Sequence, residues 1–175
     1  MAITLRTLRS AAARPSRVIA KSLSEAASYG LQTAFLCHSH KDKDLALGLQ
    51  NLLKENGWNL YIDWQDNEMP ESPGKNTATK IKTKIGSTKW FLFLATPNSM
   101  GSRWCPWEIG YADSVKAHDN IVIVPTEDDN GRFYGNEYLQ LYRKLTDASN
   151  TNINKRGYAV FNPGSNQGGS WVEQL

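Results

Sequence analysis

The sequence predicts an α/β domain wound on both faces of a parallel sheet, and three observations predict it. From residue 31 onward, short apolar runs alternate with amphipathic stretches of helical period, the pattern of strands joined by crossover helices. The apolar runs are continuous, as in Trp90-Phe91-Leu92-Phe93-Leu94-Ala95 and Ile121-Val122-Ile123-Val124; a sheet with one wet face alternates apolar and polar residues instead. The chain of 175 residues suffices for one domain with a substantial core and is too short for two full domains.

Taken in order, Thr33-Ala34-Phe35-Leu36-Cys37 reads as a first buried strand. A helix from Asp42 to Asn56 follows, with Leu45, Leu49, Leu52 and Leu53 on one face and Gly57 as a left-handed stop. Trp58 to Asp63 reads as a second strand, and the Pro-, Gly- and acid-rich stretch from Trp64 to Asn76 as a polar loop. Thr77 to Ile85 is a short helix bearing Lys80, Lys82 and Lys84, and Trp90 to Ala95 the most hydrophobic and most central strand. After the turn at Pro97-Asn98-Ser99, Pro106 marks the first turn of a helix expected to run to about His118, because a proline there lacks only an N–H that would be unpaired anyway. Ile121 to Val124 forms a fourth strand ended by Pro125. Tyr138, Leu141, Tyr142 and Leu145 have helical spacing, Tyr158-Ala159-Val160-Phe161 reads as a fifth strand, and Asn162 to Gly169 as a loop. Five strands in one small doubly wound domain predict the flavodoxin-like order 2-1-3-4-5, with helices on both faces. Ligands in such sheets sit outside the carboxyl ends of the strands, between strands 1 and 3: after Cys37, after Asp63, and after Ala95 on the way to Glu108.

The net charge of +3 is unevenly spread. Residues 1–30 carry Arg6, Arg9, Arg14, Arg17 and Lys21 against Glu25 alone, and the remainder is slightly acidic. The body, residues 31–175, therefore has no basic stripe and no expected nucleic-acid partner. The Arg-, Ala- and Ser-rich segment 1–30 fits an organelle transit peptide, a helical arm packed on the domain or a neighbouring subunit, or a cationic helix on a membrane surface. No run of about 18 apolar residues exists, so no membrane-spanning helix is expected. Cys37 and Cys105 lack metal-ligand spacing and read as buried thiols of a reducing compartment.

On pattern alone, Glu108 is a helix-start carboxylate: with Cys105 at the cap it falls at the third helical position, where acids favour the dipole and reach back to backbone N–H groups. Trp104 and Trp107 are ordinary core or interface aromatics on the same footing. His38 and His40 form an H-x-H pair without a third ligand, so no metal is expected; His38 reads as a pocket-lining loop residue and His40 as solvent-facing. Ser39 has no base fixed by spacing, and no G-x-G-x-x-G fingerprint for dehydrogenase-style dinucleotide binding is present.

Three ordered segments change that weighting. Phe35-Leu36-Cys37-His38-Ser39-His40-Lys41-Asp42, Trp58–Asp63 with its following loop, and Ser102-Arg103-Trp104-Cys105-Pro106-Trp107-Glu108-Ile109-Gly110 resemble the three boxes of Toll/interleukin-receptor (TIR) domains, in the right order across residues 33–125. Bacterial TIR proteins of the Thoeris antiphage type are the most similar. Cys37 stands where a serine is common, and residues 1–30 and 126–175 match nothing in the minimal domain. The resemblance favours the helical arm for residues 1–30 and a cytoplasmic protein. It implies NAD+ as substrate with no further cofactor, cleavage of the nicotinamide–ribose bond, and a cyclic or conjugated ADP-ribose signal sensed by a downstream effector. It carries the catalytic glutamate onto Glu108, with Trp104 four residues before it, and puts the substrate-binding side at His38, Ser39, Lys41, Asp63, Trp64 and Trp104. Residues i and i+4 share a helix face, so a carboxylate and an aromatic wall can address one ligand. The loop Trp64–Asn76 corresponds to one that mediates contacts between neighbouring TIR domains. A non-catalytic adaptor acting by TIR–TIR self-association is the alternative the resemblance permits.

Overall fold

The computed structural model describes residues 1–15, 20, 22–70 and 74–175; Arg17 and Lys21 of the basic segment and Pro73 of the polar loop lie outside the described residues. The chain opens with a two-residue strand, β1 (Ile3–Thr4), that runs directly into α1 (Leu5–Ala12). Thr4 caps this helix, its Oγ1 accepting the Thr7 N–H at 3.1 Å. Leu5, Leu8 and Ala11, spaced by threes, form its buried face. A short helix α2 (Leu23–Ser28) follows, capped by Ser22.

The predicted alternation then begins with β2 (Gln32–Cys37), α3 (Lys43–Lys54), β3 (Trp58–Tyr61), α4 (Lys75–Ser87) and β4 (Trp90–Ala95). It continues with α5 (Pro97–Met100), α6 (Cys105–Val115) and β5 (Ile121–Glu127). The C-terminal third adds β6 (Phe133–Tyr134), β7 (Arg143–Asn150), β8 (Lys155–Phe161) and β9 (Ser170–Trp171).

The sheet runs β3-β2-β4-β5-β7-β8-β9. Its first five strands pair in parallel, which is the expected 2-1-3-4-5 order. It is larger than five strands, because β8 and β9 extend it antiparallel and β1 and β6 join the far end of β5. Helices α1 and α3 cover one face and α4 and α6 the other, each over its own buried cluster.

Four expectations are corrected. The fifth parallel strand is β7, whereas Tyr158–Phe161 lies in β8, antiparallel to it. The spacing of Tyr138, Leu141, Tyr142 and Leu145 is met by a 3₁₀ turn, Glu137–Leu141, followed by β7 itself. A helix there would leave the ladder groups of Val122 and Ile123 on the β7 side without partners. Strand β5 does not end at Pro125; beyond it, Thr126 and Glu127 exchange the β4 partner for β1 and β6. Helix α6 stops at Val115, three residues short of His118, where Lys116 turns extended and its Nζ donates to the Thr88 carbonyl at 2.5 Å.

The N-terminal helix is packed into the domain. Asn51 of α3 donates its side-chain amide to the Ala11 carbonyl at 3.0 Å. Arg14 pairs with Glu55 at 3.2 Å and Arg9 with Asp44 at 3.5 Å, so part of the local positive charge is spent on α3. Gly48 lies so close to α1 that a Cβ placed on it would stand 1.9 Å from the Leu8 carbonyl oxygen.

Candidate functional site

The parallel order brings the carboxyl ends of β2, β3 and β4 side by side. Cys37, His38 and Ser39 leave β2, Asp63 follows β3, Thr96 follows β4, and α6 returns behind them. Asp42 fixes the β4 exit: buried, it accepts Thr96 Oγ1 at 2.5 Å and Asn98 Nδ2 at 2.6 Å.

Glu108 is not where the capping reading puts it. The helix starts one residue early, with Trp104 as the cap residue and Cys105 first in the helix. Ser102 Oγ accepts the N–H of Trp104 at 3.1 Å and of Cys105 at 3.3 Å, so a serine satisfies the helix start. Glu108 is fourth, donates its own N–H to Trp104 O at 2.9 Å, and is buried. Burial pushes its carboxyl up to about 7, a rise opposed by a hydrogen bond from Cys37, increased by the Asp63 charge and opposed again by His40. The Cys37 thiol, also buried, lies 3.9 Å from Cys105 O and is pushed well above the ordinary thiol range by its burial. It is a protonated donor, not a nucleophile.

Asp63 sits on the opposite side of the cluster, held from three directions. Its Oδ1 accepts the Trp64 N–H at 2.8 Å and lies 3.7 Å from His38 Nε2; its Oδ2 lies 3.2 Å from His40 Nε2. Burial alone would raise the Asp63 carboxyl, but the His40 hydrogen bond, the charges of both histidines and the Trp64 N–H together hold it below the usual range. His38 donates Nδ1–H to the Leu36 carbonyl at 3.1 Å, an oxygen that can only accept. Burial lowers its pKa against the pull of Asp63, while the hydrogen bond to Asp63 raises that of His40.

Helix α6 also carries a row of aromatic rings that packs on the same cluster. Trp104 meets Trp107 edge-on with ring centroids 5.4 Å apart, and Trp107 stacks on Tyr111 at 6.3 Å. Lys82 Nζ lies over both of the latter rings, at 5.7 and 5.1 Å.

Of the residues singled out in the sequence, Glu108, Trp104, His38, Ser39 and Asp63 lie at this end of the sheet. Ser39 is buried and caps the following 3₁₀ turn, its Oγ accepting the Lys41 N–H at 3.3 Å. Lys41 is itself exposed. Trp64 turns away: it packs on the α1–α3 cluster, with Lys43 Nζ 5.3 Å over its ring. His40 and Cys37 are the members that sequence reasoning missed. The H-x-H spacing was visible, but not that both histidines turn to the Asp63 carboxylate. A broad groove on residues 146–152 and 156–159 of the outer hairpin is lined by none of Glu108, Asp63 or His40. Among the described residues no helix is long and apolar enough to cross a membrane.

A buried carboxylate and an Asp–His pair at the same end of the sheet suit stabilisation of a cationic centre beside a group that can take a proton. Comparison with known proteins gives the family. A 110-residue stretch, 62% of the chain, is 36% identical to a Bacillus cereus (strain MSX-D12) protein named probable 3' cyclic ADP-D-ribose synthase ThsB', and spans 57% of that protein's length. Residues 34–156, more than half of the chain and all of the cluster just described, match the TIR domain family. With the parallel sheet in the expected order and the three sequence boxes gathered at one end of it, this chain belongs to the TIR domain family.

Proposed function

We propose that the chain cleaves NAD+ between nicotinamide and ribose, with Glu108 as the catalytic residue, and converts the ADP-ribose portion into a cyclic or conjugated signalling nucleotide in cytoplasmic antiphage defence. The observation that carries this reading is the placement of Glu108: buried, relieved of helix capping by Ser102, and on α6 at the carboxyl ends of β2 and β4. An adaptor surface has no use for an inward-turned carboxylate there. The likeness to a protein named as a cyclic ADP-ribose synthase supports a cyclic product.

The chemistry fits one carboxylate. Nicotinamide leaves as a neutral group from a cationic ring, so its departure needs no general acid. The ribose develops oxocarbenium character as in glycoside cleavage. Ionised Glu108 stabilises that charge, and the site's low polarity strengthens the interaction. The reading includes self-association through TIR domains and an effector that senses the product.

Incubation of the purified protein with NAD+ and assay of nicotinamide tests it. Glu108→Ala is expected to lower release by about 10²- to 10³-fold, and Glu108→Gln similarly, with the fold retained by circular dichroism. Release that is unchanged in both variants sinks the mechanism. An absence of release from assembled wild-type protein returns the adaptor reading to first place.

A further inference from the structure

Departure of nicotinamide needs no proton transfer, but the second half of the reaction does. A hydroxyl that captures the ribose cation must lose its proton, whether it belongs to water or to the other ribose of the same dinucleotide. We propose that His40, held by Asp63, is the base that takes this proton; the inference rests on the NAD-cleaving reading above.

The geometry assigns the tautomer. An ionised carboxylate only accepts, so His40 Nε2, 3.2 Å from Asp63 Oδ2, carries the hydrogen. In the neutral ring Nδ1 is then a bare lone pair. The side chain is 69% exposed, and among the described residues Nδ1 has no hydrogen-bond partner. Asp63 is fixed by the Trp64 N–H on Oδ1, at 2.8 Å. His38 cannot serve as the base, because its Nδ1–H is committed to Leu36 and its side chain is only 1% exposed. Its ring lies beside that of His40 with centroids 6.2 Å apart. This is the Asp–His half of a hydrolase triad, in which the carboxylate fixes the imidazole and stabilises the imidazolium. Glu108, at the start of α6, and His40, just after β2, stand at the same carboxyl end of the parallel sheet.

The step balances as follows. The C–N bond to nicotinamide breaks with its electron pair going to the departing ring, which leaves neutral. An oxygen lone pair of the hydroxyl forms the new bond to ribose C1, and the hydroxyl proton passes to His40 Nδ1. The imidazolium, paired with Asp63, then gives that proton to water. His40 touches the reacting hydroxyl and is catalytic; Asp63 and His38 are positioning residues.

A pyridine nucleophile separates the two halves, because its nitrogen captures the same cation with no proton to lose. Wild type, His40→Gln, Asp63→Asn and the double variant are given NAD+ with and without excess pyridine, and nicotinamide, pyridine-exchange and O–H-capture products are quantified. His40→Gln is expected to keep pyridine exchange within about twofold and lose O–H capture by about 10²-fold. Asp63→Asn is expected to lose O–H capture too, with the double variant no worse than His40→Gln. In wild type the ratio of O–H capture to exchange should rise with pH as His40 deprotonates, under the influence of Asp63, Glu108, Lys43 and His38 around it, and should be flat in His40→Gln. Nicotinamide release with an unchanged ratio in His40→Gln, or with both products lost equally, overturns this inference alone. A wild type that releases no nicotinamide overturns the NAD-cleaving reading and this inference with it.

Discussion

The two faces of the sheet are packed from different residues. The face under α1 and α3 is built of Leu, Ile, Val and Ala around Trp58 and Trp90, with two helices in backbone contact at Gly48. The face under α4 and α6 is built of Phe35, Phe91 and Phe93, with Tyr61, Trp104, Trp107 and Tyr111 around it. Each fully buried leucine of the first face contributes about 1.5–3 kcal/mol. The second face gives up part of that gain by enclosing Glu108, whose charged form is disfavoured by its own burial. One face holds the domain together, and the other holds a carboxylate in a state it would not adopt in water.

Substitutions that act on one face and not the other test this division. The largest effect is the loss of nicotinamide release in Glu108→Ala, at about 10²- to 10³-fold with little loss of stability. Glu108→Gln carries a stability signature. The native carboxyl titrates near 7 against an ordinary 4.5, so the folded state keeps a proton that the unfolded chain releases, and wild-type stability falls as pH rises from about 4.5 to 7. The full fall is on the order of 3 kcal/mol, at 1.36 kcal/mol per unit. Urea midpoints at pH 5 and pH 8 should show it in wild type and not in Glu108→Gln; equal slopes in both would show that Glu108 is ionised at little cost. Gly48→Ala attacks the other face. The helix propensity gained is about 1 kcal/mol, but the new Cβ meets the Leu8 carbonyl at 1.9 Å and forces α1 off α3. A net loss of about 2 kcal/mol is expected, with the nicotinamide released per folded molecule unchanged.

Much of this division was legible in the sequence. The leucines of α3 declare a helix face by period, and the unbroken apolar run of β4 declares a strand covered on both sides. What was hidden depends on groups distant in the chain. The basic N-terminal segment suggested a helix, but nothing local says that Leu8 seats against Gly48. Strand β7 is a strand because β5 and β8 flank it, not because of its own spacing. Glu108 was found by its neighbours in sequence, yet its inward turn follows from Ser102, rather than Cys105, answering the first helical N–H groups. His40 was read as facing water, and it does; its bond to Asp63 exists because β2 and β3 are neighbours, which only the sheet order discloses. Trp64 shows the reverse error, since one residue after Asp63 the chain has already turned to the aliphatic face.

The smallest predicted effect is the most informative about how the aromatic face tunes its carboxylate. The buried Cys37 thiol favours the ionised form of Glu108. A serine hydroxyl is a stronger donor of similar size, and hydrogen bonding to the ionised form of an acid lowers its pKa. Activity that needs ionised Glu108 should rise with pH through about 7 in wild type, and Cys37→Ser should move that rise toward acid by about half a unit to one unit. The plateau above the transition should be unchanged, because the same carboxylate acts once it is ionised. A pH–rate profile of nicotinamide release for the two proteins measures both quantities. A shift toward alkali, or a lowered plateau with no shift, would mean that the thiol sets the position of Glu108 and not its charge.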